Sequence, residues 1–472
     1  MTTNPSNYVE EIESVLAKPD VPNFIDSFRS IGYSLETAIA DIIDNSIGAG
    51  STLVKINMPR AKCHRLTILD NGSGMSQETL LEAMRFGSHP NVNRLQNREL
   101  GRFGLGLKSA SLSQCRCLTV ITKEKGQDLQ IARWDLDFVS LSNEWLLQRP
   151  KLSQINHIPE IDLLLNQGSG TLVIWEDFDL MMQDFRDDFE NPALEKRLIE
   201  VKEHLRLVFH RFIEDKELEI QVNESTLSPR DPFLKIVRGK RVQTPYPASQ
   251  YELSGQKIFV QPWILPHPSK LSKIDLEKAG DLQNNQGFYI YRCKRLIIWG
   301  SWFHLQPKTE LSRLARIQVD IPSSPELDKI WNLDIKKSKA VLPLQLRETL
   351  KKQIENLRGR SDRTFSKRSK RDITQGGLWV REENEFKKAV YSLNLQHDLL
   401  ANLIKQNPQL RTVFKLISLF LPINALYEDV ARDRQIALDA PEDLDEVVKL
   451  KDVGLSDELI DLYRKVKNEF GI

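Results

Sequence analysis

Nine residues, Gly101-Arg102-Phe103-Gly104-Leu105-Gly106-Leu107-Lys108-Ser109, constrain this chain more than any other stretch. Three glycines at spacings of three and two leave backbone N–H groups bare enough to approach an anion closely. A lysine and a hydroxyl follow, so the stretch reads as a loop that opens a helix with its positive end facing that anion. It is a near miss for a Walker loop, because Leu107 stands where the lysine belongs and Lys108 comes one residue late. A plain loop-to-helix turn has the same composition, so the meaning of the cluster depends on its surroundings.

Upstream, the spacing predicts a helix over Ser34 to Ser46, with Ser34 as N-cap and Leu35, Ile39 and Ile42 on a core face. Asp41 and Asn45 sit four apart on a different face. A carboxylate and an amide so placed can polarise a water and ligate a magnesium ion, or can simply form a solvated helix face. Two strands are expected next, Leu53 to Met58 and Leu66 to Leu69. The second runs into Asp70-Asn71-Gly72-Ser73-Gly74. One reading is a β-turn capped by its Asp. The other puts Asp70 on a pocket floor, accepting from an exocyclic amine such as that of adenine, with Gly72 and Gly74 keeping the wall low. A short helix over Thr79 to Phe86, a polar turn-rich segment from Gly87 to Asn97, and strands at Cys117 to Thr122 and Thr171 to Trp175 complete this part.

Composition narrows the class. With 472 residues the chain has room for roughly two to four domains with ordinary cores. Its 66 Lys and Arg nearly cancel its 65 Asp and Glu, so any nucleic-acid contact must come from a local patch. Four cysteines without paired ligand spacing point to neither a disulfide framework nor a zinc site, and a reducing cytoplasm is expected. No signal-peptide order opens the chain, and the densest apolar run, Leu416 to Tyr427, is too short for a bilayer, so no membrane is expected.

Four short motifs stand in one order: Asp41-Ile42-Ile43-Asp44-Asn45, Asp70-x-Gly72-x-Gly74, Gly101-x-x-Gly104-x-Gly106-x-Lys108, and Gly170-Thr171. In this the chain resembles the GHKL superfamily of ATPases, named for gyrase, the heat-shock chaperones, histidine kinases and MutL. The resemblance implies a Bergerat-type α/β sandwich, a mixed sheet with helices on one face, and ATP and Mg as cofactors. It implies that Asp41 activates the attacking water, Asn45 ligates magnesium, and Asp70 reads adenine beside Gly72, Gly74 and Thr171. Gly101, Gly104, Gly106 and Lys108 become the phosphate clamp. MORC-type members look most similar, since they too carry a lysine and serine after the last glycine. Two positions depart from the pattern. The family usually has Glu at the place of Asp41, whose shorter side chain sets the base back, and slow hydrolysis is expected. The acid of the family's Asp-Ala is missing too, for Gly48 precedes Ala49.

Further along, a long amphipathic helix is expected from about Ala193, with Leu198, Val201, Leu205 and Phe209 on one stripe. Strands follow at Leu218 to Val222, Lys257 to Gln261 and Phe288 to Ile298. This order looks like the transducer domain of gyrase, MutL and MORC relatives. In those relatives a lysine returns to the ATP, and Lys337 in the run Asp334 to Lys339 best matches it; the same run is equally a solvated turn. Between Leu357 and Asp372 seven basic residues stand against two acidic ones, either a solvated linker or a contact for a phosphate backbone. The expected architecture is therefore a multidomain α/β (α+β) chain. Residues 1–185 form the ATPase sandwich, 186–350 a transducer-like α/β domain, 351–376 a basic linker and 377–472 a helical C-terminal region.

The expected function is an ATP-dependent conformational clamp that closes as a homodimer and acts on DNA. Prokaryotic proteins resembling MORC tend toward DNA repair, restriction or antiphage defence, which implies nuclease or helicase partners. A histidine kinase shares the pocket but needs a phosphoacceptor His on a helical hairpin, and the residues before Ser34 hold no His. A protein-remodelling chaperone and a nucleotide-sensing scaffold with little hydrolysis remain as alternatives.

Overall fold

The computed structural model describes residues 20–30, 32–59, 64–86, 106–178, 192–237, 240–241, 248–332, 341–355, 357, 379–383, 389–411 and 414. Helix α1 (Val21–Arg29) leads into α2 (Leu35–Gly48). Ser34 takes the extended backbone of an N-cap, but its Oγ meets Thr37 Oγ1 at 3.0 Å rather than a backbone amide. Helix α2 is buried on nearly every side, its Asp41, Asp44 and Ser46 included. A surface helix would keep one polar face in water, so the polar groups of α2 must find partners inside the protein.

Strands β1 (Leu53–Asn57) and β2 (Leu66–Asp70) pair antiparallel, and helix α3 (Gln77–Met84) follows, capped by Ser76. After α4 (Gly106–Leu112) come β3 (Cys117–Lys123), β4 (Gln130–Asp135), α5 (Leu136–Ser142), α6 (Leu152–Ile155), α7 (Pro159–Asn166) and β5 (Gly170–Glu176). The long helix α8 (Pro192–Val208) and short α9 (His210–Glu214) precede β6 (Glu219–Val222) and β7 (Ser225–Thr226). These strands make a seven-stranded sheet in the order β4-β3-β5-β2-β1-β6-β7, with β1 and β6 parallel and the other pairs antiparallel.

Alternation along the inner strands sends side chains to two cores. Ile68, Val120, Val173 and Trp175 join a large core shared with α2 and α8, while Leu69, Ile121, Leu172 and Ile174 meet Ile155, Ile161 and Leu164 of α6 and α7. A smaller helical layer therefore covers the second face, where the resemblance implied helices on one face alone.

A two-strand hairpin, β8 (Ile236–Val237) with β9 (Lys240–Arg241), leads to the second sheet. That sheet holds β10 (Ser249–Leu253), β11 (Gln256–Ile264), β12 (Gly287–Arg292), β13 (Arg295–Ser301) and β14 (Ala315–Ile321), ordered β10-β11-β14-β12-β13, with α10 (Lys273–Ala279) in the connection between β11 and β12. The stretch expected as strand over Phe288 to Ile298 is thus a hairpin, turned at Cys293 and Lys294, both with positive φ. Of the stripe expected on α8, Val201 and Leu205 are fully buried, Leu198 packs partly buried against the same core, and Phe209 is fully buried just past the end of the helix. One apolar core runs from Ile56 and Trp175 of the first sheet through these residues to Tyr291 and Leu296 of the second. Helix α11 (Pro325–Ile330) and a helix over 344–355 end this unit, which spans residues 1–357.

Residues 358–472 form a separate unit. The sequence reads as helical from residue 377, but the described part opens with an antiparallel hairpin, Trp379–Glu383 against Ala389–Leu393, before a helix over Asp398–Gln406. The β-branched Val390 and aromatic Tyr391 favour the strand, which short apolar runs do not distinguish from helix. Among the described residues no helix is long and apolar enough to cross a membrane.

Two glycines give a test of the fold. Gly74 has φ +73°, and a Cβ there would lie 1.9 Å from the Lys123 carbonyl oxygen, whereas Gly126 has φ +77° and open space around it. Gly126→Ala is expected to lose about 1 kcal/mol from the left-handed backbone alone. Gly74→Ala should lose about 3 kcal/mol or more, because the turn must also leave β3. Thermal unfolding of the two variants side by side measures the difference.

Candidate functional site

Asp70 ends β2 directly opposite Thr171 on β5, so strand register alone brings these two motif residues together. The carboxylate is 7% exposed. Its Oδ1 accepts from the backbone N–H of Gly72 at 2.9 Å and of Thr171 at 3.2 Å, and its Oδ2 accepts from Ser46 Oγ at 2.8 Å. Burial raises the pKa of this carboxyl above the ordinary aspartate value, against the pull of those three hydrogen bonds. A carboxylate so short of water gains most from a further donor at its open edge, which suits an exocyclic amine.

The glycines around it are demanded by close backbone approach. A Cβ on Gly72 would meet Ala49 Cβ at 2.9 Å, and one on Gly170 would lie 2.2 Å from the Asp70 carbonyl oxygen. Ser169 Oγ donates to the Gly72 carbonyl at 2.8 Å, and Gln167 Nε2 to the Asp70 carbonyl at 3.1 Å. Thr122 Oγ1 accepts from Met75 N–H at 2.9 Å and lies 3.0 Å from Thr171 Oγ1. The turn after β2 is thereby clamped onto β3 and β5.

The other end of the site is built by α2 and α4. Asp41 Oδ2 accepts from Tyr33 OH at 3.0 Å, and a Cβ built on Gly106, the first residue of α4, would lie 4.0 Å from the same oxygen. Asn45 donates its Nδ2 to the Asp41 carbonyl at 3.1 Å, which turns its amide oxygen, a hard ligand of the kind magnesium takes, away from the helix backbone. Ser46, the next residue, holds Asp70, so one helix carries both ends of the site. The oxygen-rich donor set and glycine-led helix start fit a nucleotide with its magnesium ion.

Lys108, implied as part of the phosphate clamp, has a partner within the protein. Its side chain is fully buried and its Nζ donates to the Ala83 carbonyl at 2.7 Å, in the last turn of α3. Burial pulls its pKa down to about 8, opposed by the charge of Glu82. A cation there satisfies carbonyls left open at a helix C-terminus. Gly101, Gly104 and Lys337 lie outside the described residues.

Three residues at the site escaped the sequence reading: Tyr33, Ser46 and Thr122. Ser46 carried a usable signal, since a small hydroxyl beside Asn45 in an otherwise apolar helix needs a partner. Tyr33 and Thr122 carried none, because only the fold brings them to Asp41 and Thr171.

Residues 33–171 match the model of a family described as histidine kinase-, DNA gyrase B-, and HSP90-like ATPase. No curated protein matches the chain. The matched segment contains Asp41, Asn45, Asp70, Gly106 and Thr171, which supports the GHKL resemblance. The match supports ATP binding by this segment, as in GHKL-type ATPase domains.

Two measurements probe this geometry. Asp70→Asn replaces an acceptor by an amide that must turn one N–H toward existing donors, and ATP affinity should fall at least about ten-fold by equilibrium binding. For Lys108, the folded pKa of about 8 lies below the ordinary 10.5, so between these values the unfolded chain binds the extra proton. Its contribution to stability therefore rises with pH across that window, and Lys108→Met should flatten the melting temperature measured from pH 8 to 10.5.

Proposed function

We propose that the protein is an ATP-hydrolysing conformational clamp of the MORC-like GHKL type, closing as an ATP-dependent homodimer and acting on DNA. The observation that carries the catalytic part is Asp41 Oδ2, held by Tyr33 OH at 3.0 Å beside the start of α4 and one turn from Asn45. A carboxylate so oriented takes the proton of a water attacking the terminal phosphate, while amides at the start of α4 face the charge that develops. Asn45 would hold a magnesium ion, which when bound neutralises phosphate charge. Tyr33 occupies one lone pair of Asp41 with its own hydrogen bond, and the Asp side chain is short, so turnover is slow. The same two features support a nucleotide-sensing scaffold with little hydrolysis as the second reading.

The core that runs from the first sheet through α8 to the second supports transmission of the nucleotide state across residues 1–357. Lys337 is the proposed lysine that senses the terminal phosphate, joined by Gly101 and Gly104 at the phosphates. The basic run from Arg358 to Arg371 is the proposed contact for the DNA backbone, consistent with a near-neutral whole. Repair, restriction or antiphage defence with a nuclease or helicase partner in the cytoplasm is the setting this reading favours.

ATP turnover with and without duplex DNA tests it. Asp41→Asn should lose hydrolysis at least about a hundred-fold while ATP affinity stays within a few fold, since the carboxylate acts on water. Turnover of that variant at the wild-type rate would remove Asp41 as the base, and a wild-type rate indifferent to DNA at all salt concentrations would remove DNA as the client.

A further inference from the structure

We infer that Arg295 is a positioning residue for the nucleotide site, acting from the second sheet through Asp44 on the helix that carries Asp41 and Asn45. The inference rests on the ATPase reading above. Arg295 opens β13, and its Nε donates to Asp44 Oδ1 at 3.2 Å across 251 residues of chain. Arg295 is 3% exposed and Asp44 1%. The guanidinium is fixed from its own side as well: Nη1 donates to the Leu296 carbonyl at 2.5 Å, and Cζ lies 5.2 Å from the centre of the Phe209 ring. Helix α8 packs against both α2 and β13, and its His204 lies close enough to the pair to feel both charges. Burial, aided by the Arg295 cation and opposed by Asp44, pulls that imidazole down to about 3, so it is neutral beside the pair.

Two charges this far from water cannot part without leaving one of them uncompensated, so α2 and β13 must move together at this point. An apolar pair would hold the elements at least as firmly, because desolvation cancels most of the attraction of a buried ion pair. What the ion pair adds is direction. The guanidinium, anchored through Nη1 to its own strand, offers Nε to Asp44 from one direction, which favours one rotation of α2 about its own axis. Asp44 precedes Asn45 and lies one turn from Asp41, so that rotation decides where the proposed base and magnesium ligand point. Small displacements of such groups carry large kinetic penalties.

The test uses the full chain and four variants: Arg295→Met, Asp44→Asn, the two combined, and Arg295→Lys. ATP affinity, kcat, KM and thermal unfolding are measured for each. Each single neutral variant should lose at least about ten-fold in kcat with ATP affinity within about three-fold of wild type. The double variant has no uncompensated charge, so it should regain thermal stability without regaining kcat. Arg295→Lys keeps the charge without the planar fork and should fall between. Recovery of kcat along with stability in the double variant would overturn the inference, since the pair would then serve the fold alone; the double variant decides the matter even where a single one does not fold. Wild-type kcat in a folded single variant overturns it as well. Wild-type protein that binds no ATP overturns the ATPase reading itself, and the inference with it.

Discussion

A carboxylate taken out of water at the end of a central strand must have its lone pairs met by the protein, and Asp70 meets that need with donors from three directions. Thr171 N–H comes from the neighbouring strand, Ser46 Oγ from α2, and Gly72 N–H from the turn just after it. Sheet, helix and turn are tied at one oxygen pair. The glycines nearby follow from this arrangement, because three backbone segments converge where a Cβ would collide. The residue proposed to read a base edge is thus also the one on which sheet, helix and turn converge.

Helix α2 extends the same logic. Its buried polar side chains point to more than one side and find partners outside the helix: Tyr33 for Asp41, Asp70 for Ser46, Arg295 for Asp44. Leu35, Ile39, Ile43 and Ile47 supply the apolar burial that holds the helix between the sheet and α8. Burial of that apolar surface outweighs the desolvation of the polar groups only because those groups are paired. The helix is therefore more than a carrier of two site residues, since its position is shared among both sheets and the loop before it.

Some residues have structural reasons beside the ligand contact that the motif pattern implies. Lys108 follows the last glycine of the cradle, yet its Nζ closes the end of α3 through Ala83. Gly74 makes room for the Lys123 carbonyl. Lys108 thereby joins α3 to α4, and Gly74 lets the turn press onto β3. Short motifs record what must fit, and backbone crowding and ligand approach select the same amino acids.

By itself, the sequence determined the elements and the type of site. Helical spacing in Ser34 to Ser46 and alternation in Leu53 to Met58 are local properties, and they reappear in α2 and β1 within a residue or two. The order of the four motifs pointed to a nucleotide pocket before any contact was known. Tertiary structure alone decided the rest: the second helical layer over Leu69 and Ile174, the hairpin at Trp379–Glu383 and Ala389–Leu393, the direction of Lys108, and the partners Tyr33, Thr122 and Arg295. The physical reason is range. Periodicity acts over a few neighbouring residues, whereas a buried charge or hydroxyl is satisfied by whatever donor the fold delivers, and in the case of Asp44 that donor lies 251 residues away.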